Sequence, residues 1–373
     1  MAAVGLTMLT GCDGFFPPVT PVPPGSTGNY VYVANTTGTT ASGTNSATGT
    51  VTGFTVGTGT LTAVPSSPLK LGYQPVAMAV TRNNKFLYVA TPGNINAYTI
   101  NSDGSLSAAS TGTGVAIVNV VSMDVSPDGQ WLVALDGNTL QAQVDVFQIN
   151  TTTGALTAVS NGTLAIPNAV INPQMLKISP NGAYVFAALG TGGDAIFTFD
   201  TSTGNAIGVL KLTVSSQTSD NALAVDNASA YLYIARSGTG GGVRVFAIGS
   251  GGSLNEISSS PFASGGQASS VVLDNAGKYV YAANRANGTI YGYAIGTGGA
   301  LTALGGSPYT SGLLVTSLGT DSSGDYLLAA ANGGDPDLSM YSFDTATPGK
   351  LDLATSTATG TDPTGAIAVA LTH

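Results

Sequence analysis

Few side chains in this 373-residue chain could do chemistry, and their scarcity narrows the choices. Ten residues are Lys or Arg, and only Arg82, Arg236, Arg244 and Arg285 are arginines. A guanidinium holds a carboxylate or phosphate through two parallel hydrogen bonds. Arg236 and Arg285 stand out because each closes an apolar run, "YLYIAR" and "YVYAANR". The nineteen acidic residues are Asp apart from Glu256. Asp335 and Asp337 in "NGGDPDLS", and Asp362 in "TDPTGAI", offer carboxylates. Such a group can serve as a base towards water, as Asp335 or Asp362 could here. Two of them without an EF-hand loop fall short of a calcium site, so Asp335 and Asp337 read first as a solvated turn. The only histidine, His373, is the last residue, which leaves no material for a His-dependent triad or a multi-His metal site. "SGTGGGV" at 237–243 lacks the Lys and following helix of a phosphate-binding loop. No cofactor and no metal are expected.

The net charge is −9 and no basic stripe occurs, so nucleic acid is not an expected partner. Only 8% of residues are charged; Thr, Ser, Asn and Gly supply the polar surface. That composition suits strands and tight turns.

What must position these groups is a repeat. "GTLTAV" begins at Gly59, and related words begin at Gly104, Gly154, Gly204, Gly252, Gly299 and Gly349. Before each lies an alternating strand such as "TIYGYAI", and before that an apolar one such as "YVYVAN", "FLYVAT" or "YLLAAA". Earlier still come short segments with turn chemistry, "MDVSPDG", "LKISPNG" and "VVLDNAG". Four strands, a to d, at this period predict an all-β fold of β-propeller blades. The first unit lacks strand a, while "DPTGAIAVALTH" is a strand a with nothing after it. One blade is therefore expected to be shared between the termini, giving seven antiparallel four-stranded blades in a closed ring over 29–373. The outermost strands start at the Gly words. The d–a and b–c connections share one face at the channel mouth. On it fall Asn35, Gln74, Asn119, Gln174, Arg236, Gln267, Asn284, Arg285, Asp335 and Asp362.

The single cysteine, Cys12, ends the apolar run "VGLTMLTGC", so no intrachain disulfide can form. This run resembles the lipobox of bacterial lipoproteins, with Gly11 as the small residue at the cleavage site. No Lys or Arg precedes it. Residues 1–12 then read as a lipoprotein signal peptide, with lipidation at Cys12. Residues 13–28, "DGFFPPVTPVPPGSTGN" with its final Asn29, are Pro-rich and read as a semi-rigid tether. The expected location is the bacterial cell envelope, extracytoplasmic and held at the membrane by the lipid alone.

"SPDGQWLVA", "SPNGAYVFAA" and "GKYVYAANRANGTIYGYAI" at 277–295 resemble the lactonase-type seven-bladed propellers, relatives of 6-phosphogluconolactonase and YncE-like propellers. The family pattern of a strand ending in Asn-Arg, followed by a polar loop and "TIxxY", matches Asn284, Arg285, Thr289 and Ile290. The resemblance implies a hydrolase opening a sugar lactone, with Arg285 stabilising the oxyanion and Asp335 or Asp362 as base. The family's His-bearing segment and Asn-Glu pair have no counterpart in "YQPVAM", "NPQMLK", "SDNALA", "GQASSV" or "TDPTGAI". The favoured expectation is a binding or scaffold propeller, monomeric, presenting its mouth to a small anionic or lactone-type ligand or to an envelope protein. Its ligand contacts would be Asn35, Gln174, Arg236, Gln267, Asn284 and Arg285.

Overall fold

A computed structural model describes residues 28–36, 49–91, 93–109, 115–117, 119–166, 171–215, 217–333, 336–359 and 365–373. It is a ring of seven antiparallel four-stranded sheets, as the repeat predicts. Blades are numbered here by the chain order of their b strands. Blade 1 takes strands b, c and d from Tyr30–Thr36, Gly49–Gly57 and Thr60–Ala63, and strand a from Gly365–Leu371. Val31 pairs with Leu371 and Thr36 with Gly365, so the expected shared blade closes the ring. Each strand a packs beside strand a of the next blade, and this inner circuit closes on itself.

An innermost strand has one edge without a sheet partner, and such an edge needs hydrogen bonds. Polar side chains of neighbouring strands supply them. Ser122 Oγ accepts Leu176 N at 3.1 Å, Asp124 Oδ2 accepts Ile178 N at 3.0 Å, and Ser270 Oγ accepts Leu318 N at 3.1 Å. Thr316 donates to Ala366 O at 2.8 Å across the closing joint. The Ser, Thr and Asp residues inside otherwise apolar a strands therefore stitch blade to blade.

The blades stack face to face, so apolar clusters fill the seven spaces between them. Both faces of strand b are covered, which is why Phe86–Thr91 is buried at all six positions. A strand covered on both sides reads as a continuous apolar run instead of alternating.

The Gly words owe their recurrence to the same stacking. Gly104, Gly154, Gly204, Gly252, Gly299 and Gly349 all have positive φ, and each sits against an aromatic ring opening strand b of the preceding blade. A Cβ at Gly104 would lie 2.5 Å from Tyr30, and one at Gly349 2.5 Å from Tyr279. Backbone angle and lack of space both require glycine there. Gly59, at the closing joint, has open space instead and donates its N–H to Tyr326 at 2.9 Å.

One expectation needs refinement. Strand d runs unbroken in blades 3, 4 and 7 but is interrupted in blades 1, 2 and 6, where Leu69–Lys70, Val115–Ala116 and Tyr309–Thr310 return to pair with strand c.

Candidate functional site on the loop face

The b–c and d–a connections do meet on one face. Gly238 N donates to Gly266 O at 3.0 Å, and Arg285 N to Gln267 O at 3.0 Å. Three of the candidates, Asn35, Arg236 and Asn284, hold the sixth position from the start of a b strand, which in the other blades is Thr91, Asp136, Leu189 and Ala331. Every one of them is buried. Several of the polar ones hold the following loop: Thr91 accepts Gly93 N, Asp136 accepts Asn138 N and Asn284 accepts Ala286 N.

Asn35 is wholly buried and saturated: its amide donates to Thr50 and Thr52, and Oδ1 accepts Thr359 Oγ1 at 2.7 Å. Asn284 is equally enclosed, donating to Ser264 O at 2.9 Å and accepting Ala286 N at 2.9 Å. Both act as loop clamps in this geometry. Both side chains are thus spent on internal bonds in this structure.

Arg236 is spent internally as well. It is 4% exposed, and Nε and Nη2 bind the two oxygens of the fully buried Asp220 at 2.5 and 2.6 Å. Beside this pair lies Asp194, 1% exposed, with neither oxygen hydrogen-bonded among the described residues. Burial first, and then the Asp220 carboxylate, push Asp194 well above the usual carboxylate range, against the pull of Arg236 and Arg244. The Gly190–Asp220 backbone bridge locks this cluster between blades 4 and 5. Sequence reasoning missed it. Asp194 opens strand c of blade 4, and Asp220 lies in the "SDNALA" stretch, sixteen residues before Arg236. The one available signal was an arginine at a strand position that the other blades fill with shorter side chains.

Gln267 is exposed and Gln174 half-buried, with Nε2 of Gln174 turned to Asn172 O at 3.0 Å. Gln74 is half-buried and Asn119 exposed with φ +57°. Asp337 caps the other side of the closing joint, accepting Thr359 N at 2.9 Å. Asp335, Asp362 and Cys12 lie outside the described residues.

Arg285 differs from all of these. It follows Tyr279–Asn284 by one residue, is exposed, and its guanidinium makes no ion pair with any described residue. Glu256, by contrast, pairs with Arg244 on the outer strand of blade 5. His373 is bound through its backbone to Asn84, and burial followed by Arg82 pushes its imidazole down to about 4. It is therefore a neutral ring at physiological pH. Among the described residues no group of three or more His, Cys, Asp or Glu could hold a metal.

This ring matches known folds along nearly all its length. A protein of Bacteroides uniformis provisionally assigned as a 6-phosphogluconolactonase superimposes with a TM-score of 0.70 at 18% identity, covering 91% of this chain and 99% of the other. A protein from Lactobacillus plantarum gives 0.69 at 16% identity, covering 92% and 100%. The periplasmic gluconolactonase of Pseudomonas aeruginosa gives 0.64 at 16% identity, covering 92% and 99%. At such identities the likeness is one of fold. No curated protein sequence matches the chain. The profile of one family does match, over residues 141–261 and 256–368. The chain belongs to the lactonase, 7-bladed beta-propeller family.

Proposed function

We propose that this protein is a ligand-binding propeller of the bacterial cell envelope, anchored through a lipid on Cys12 and tethered by residues 13–28. Its ligand is a small anion, or a lactone with a polarised carbonyl, directed at Arg285. The reading rests on one contrast: Asn35, Asn284 and Arg236 are consumed by internal hydrogen bonds, while Arg285 keeps an exposed guanidinium on the loop face with no ion pair among the described residues. A cation of that kind in a chain of net charge −9 is the natural receptor for a carboxylate or phosphate. Gln267, whose carbonyl holds the Arg285 backbone, lies beside it.

Hydrolysis of a sugar lactone is the second reading, favoured by family membership and by the gluconolactonase name of one structural neighbour. Arg285 would then stabilise the oxyanion, with Asp335 or Asp362 as base. Calorimetric titration with aldonic acids and their δ- and γ-lactones, run beside a pH-stat assay of ring opening, separates the two. Saturable binding without turnover, weakened in Arg285→Ala, supports the binding reading. Turnover that disappears in Arg285→Ala supports hydrolysis. Binding that is indifferent to Arg285 sinks both. For the anchor, Cys12→Ala should release the protein from membranes, and an unmodified Cys12 thiol in the membrane-free wild type would end that part.

A further inference from the structure

Blade 3, three blades round the ring from Arg285, carries a cleft of about 430 Å³ at the loop end of its b and c strands, on the side turned to blade 2. Asp136, Gln143 and Asp145 line it together with Ile117, Phe147 and Val159. The volume suits a small ligand. Its charge is one-sided. Neither Asp136 nor Asp145 has an ion pair among the described residues, whose ion pairs all use other carboxylates. Asp136 is 6% exposed; Asn138 N binds its Oδ1 at 2.7 Å, and Oδ2 has no partner among the described residues. Asp145 is half-buried and receives one bond on Oδ1, from Gln143 Nε2 at 3.1 Å. Burial raises both carboxyls above the usual range, and Asp136 adds its repulsion to Asp145. Two carboxylates taken partly out of water with no cation beside them are costly, and a bound cation offsets that cost.

We infer that this cleft is a binding site for a small organic cation: a primary ammonium held between Asp136 and Asp145, on a short apolar body packed against Phe147, Val159 and Ile117. An ammonium supplies three donors, enough for the free oxygens of both carboxylates. The apolar wall disfavours a bare metal ion, which would need oxygen ligands on that side as well.

Benzylamine is the probe, with benzyl alcohol as its neutral counterpart. Calorimetry should show saturable benzylamine binding, falling as salt rises, and none for the alcohol. Asp145→Asn should weaken it about tenfold, the scale of one charge-assisted contact. Asp136→Asn should act in the same direction, with circular dichroism confirming that each variant folds. Affinity should also fade on acidification at a pH above that of an ordinary Asp, since the raised carboxyls protonate earlier. No saturable binding, equal binding of the alcohol, or a benzylamine affinity unchanged in both variants would overturn the inference. Arg285→Ala should leave benzylamine binding intact, so failure here and failure at Arg285 are separable.

Discussion

Blades 5 and 6 are neighbours built on the same words, "YLYIAR" and "YVYAANR", yet they handle their arginines in opposite ways. In blade 5 the arginine is the sixth residue of the strand, and it is drawn inward onto Asp220. In blade 6 the sixth residue is Asn284, which clamps the loop, and the arginine is displaced by one residue into solvent. A shift of one position separates a sealed ion pair from an open cation. The third residues diverge too. Tyr281 donates to Gly349 O at 2.6 Å, whereas Tyr233 is equally buried and its hydroxyl has no partner among the described residues.

The sealed pair gives the largest expected effect. Arg236→Leu strands the fully buried Asp220 carboxylate without its partner, which should cost about 3–5 kcal/mol of stability in denaturant titrations. Arg236→Leu with Asp220→Leu should recover much of that loss, because the buried charge goes with its partner. A loss under 1 kcal/mol for the single variant would mean that blade 5 is as open as blade 6.

Asp194 adds a pH dependence to the same seam. Its folded-state pKa is raised, so its contribution is fully present below the unfolded value of 3.8 and is lost as pH rises through the folded value. Asp194→Asn removes this titration. The variant should therefore gain stability relative to wild type as pH rises from acid to neutral, and melting curves across that range would show it. Parallel curves at all pH values would contradict the assignment.

The tyrosines test the contrast at finer scale. Tyr281→Phe should cost about 1 kcal/mol through the orphaned Gly349 carbonyl. Tyr233→Phe should be neutral or slightly stabilising, since its hydroxyl is buried without a bond. Equal costs would erase the distinction between the blades.

Arg285→Ala should also have little effect on stability, within about 0.5 kcal/mol, as befits an exposed side chain with no ion pair among the described residues. Its expected effect on affinity for an aldonate is about tenfold. A marked drop in melting temperature would move Arg285 into the company of Arg236.

Much of the architecture could be read from the sequence because blade stacking writes itself into residues at fixed intervals. Gly104 and Tyr30 show why: the glycine recurs since the preceding blade's ring occupies the place of its Cβ. The shared blade was legible because an "AIAVAL" strand stood alone at the end. The candidate site was legible only in part. Strand parity usually tells buried from exposed, but blades cover both faces of strand b, so parity says nothing about Asn35, Arg236 or Asn284. Asp220 meets Arg236 through a hairpin register that shifts between Asp220 and Ala222, a bulge that spacing alone does not reveal. The cleft at Asp136 and Asp145 needs two blades to form a wall, which no single repeat can announce.

The shared blade also sets a timetable for synthesis. Tyr30 bonds Thr372 across 342 residues of chain. At roughly 5–20 residues per second, the ribosome needs about 17–70 seconds to deliver the partner of Tyr30–Thr36. Throughout that interval Val31 and Val33 belong to a strand with one bare edge, the kind of edge that recruits other chains. The strand that completes the ring is made last, and the strand that waits for it is among the first.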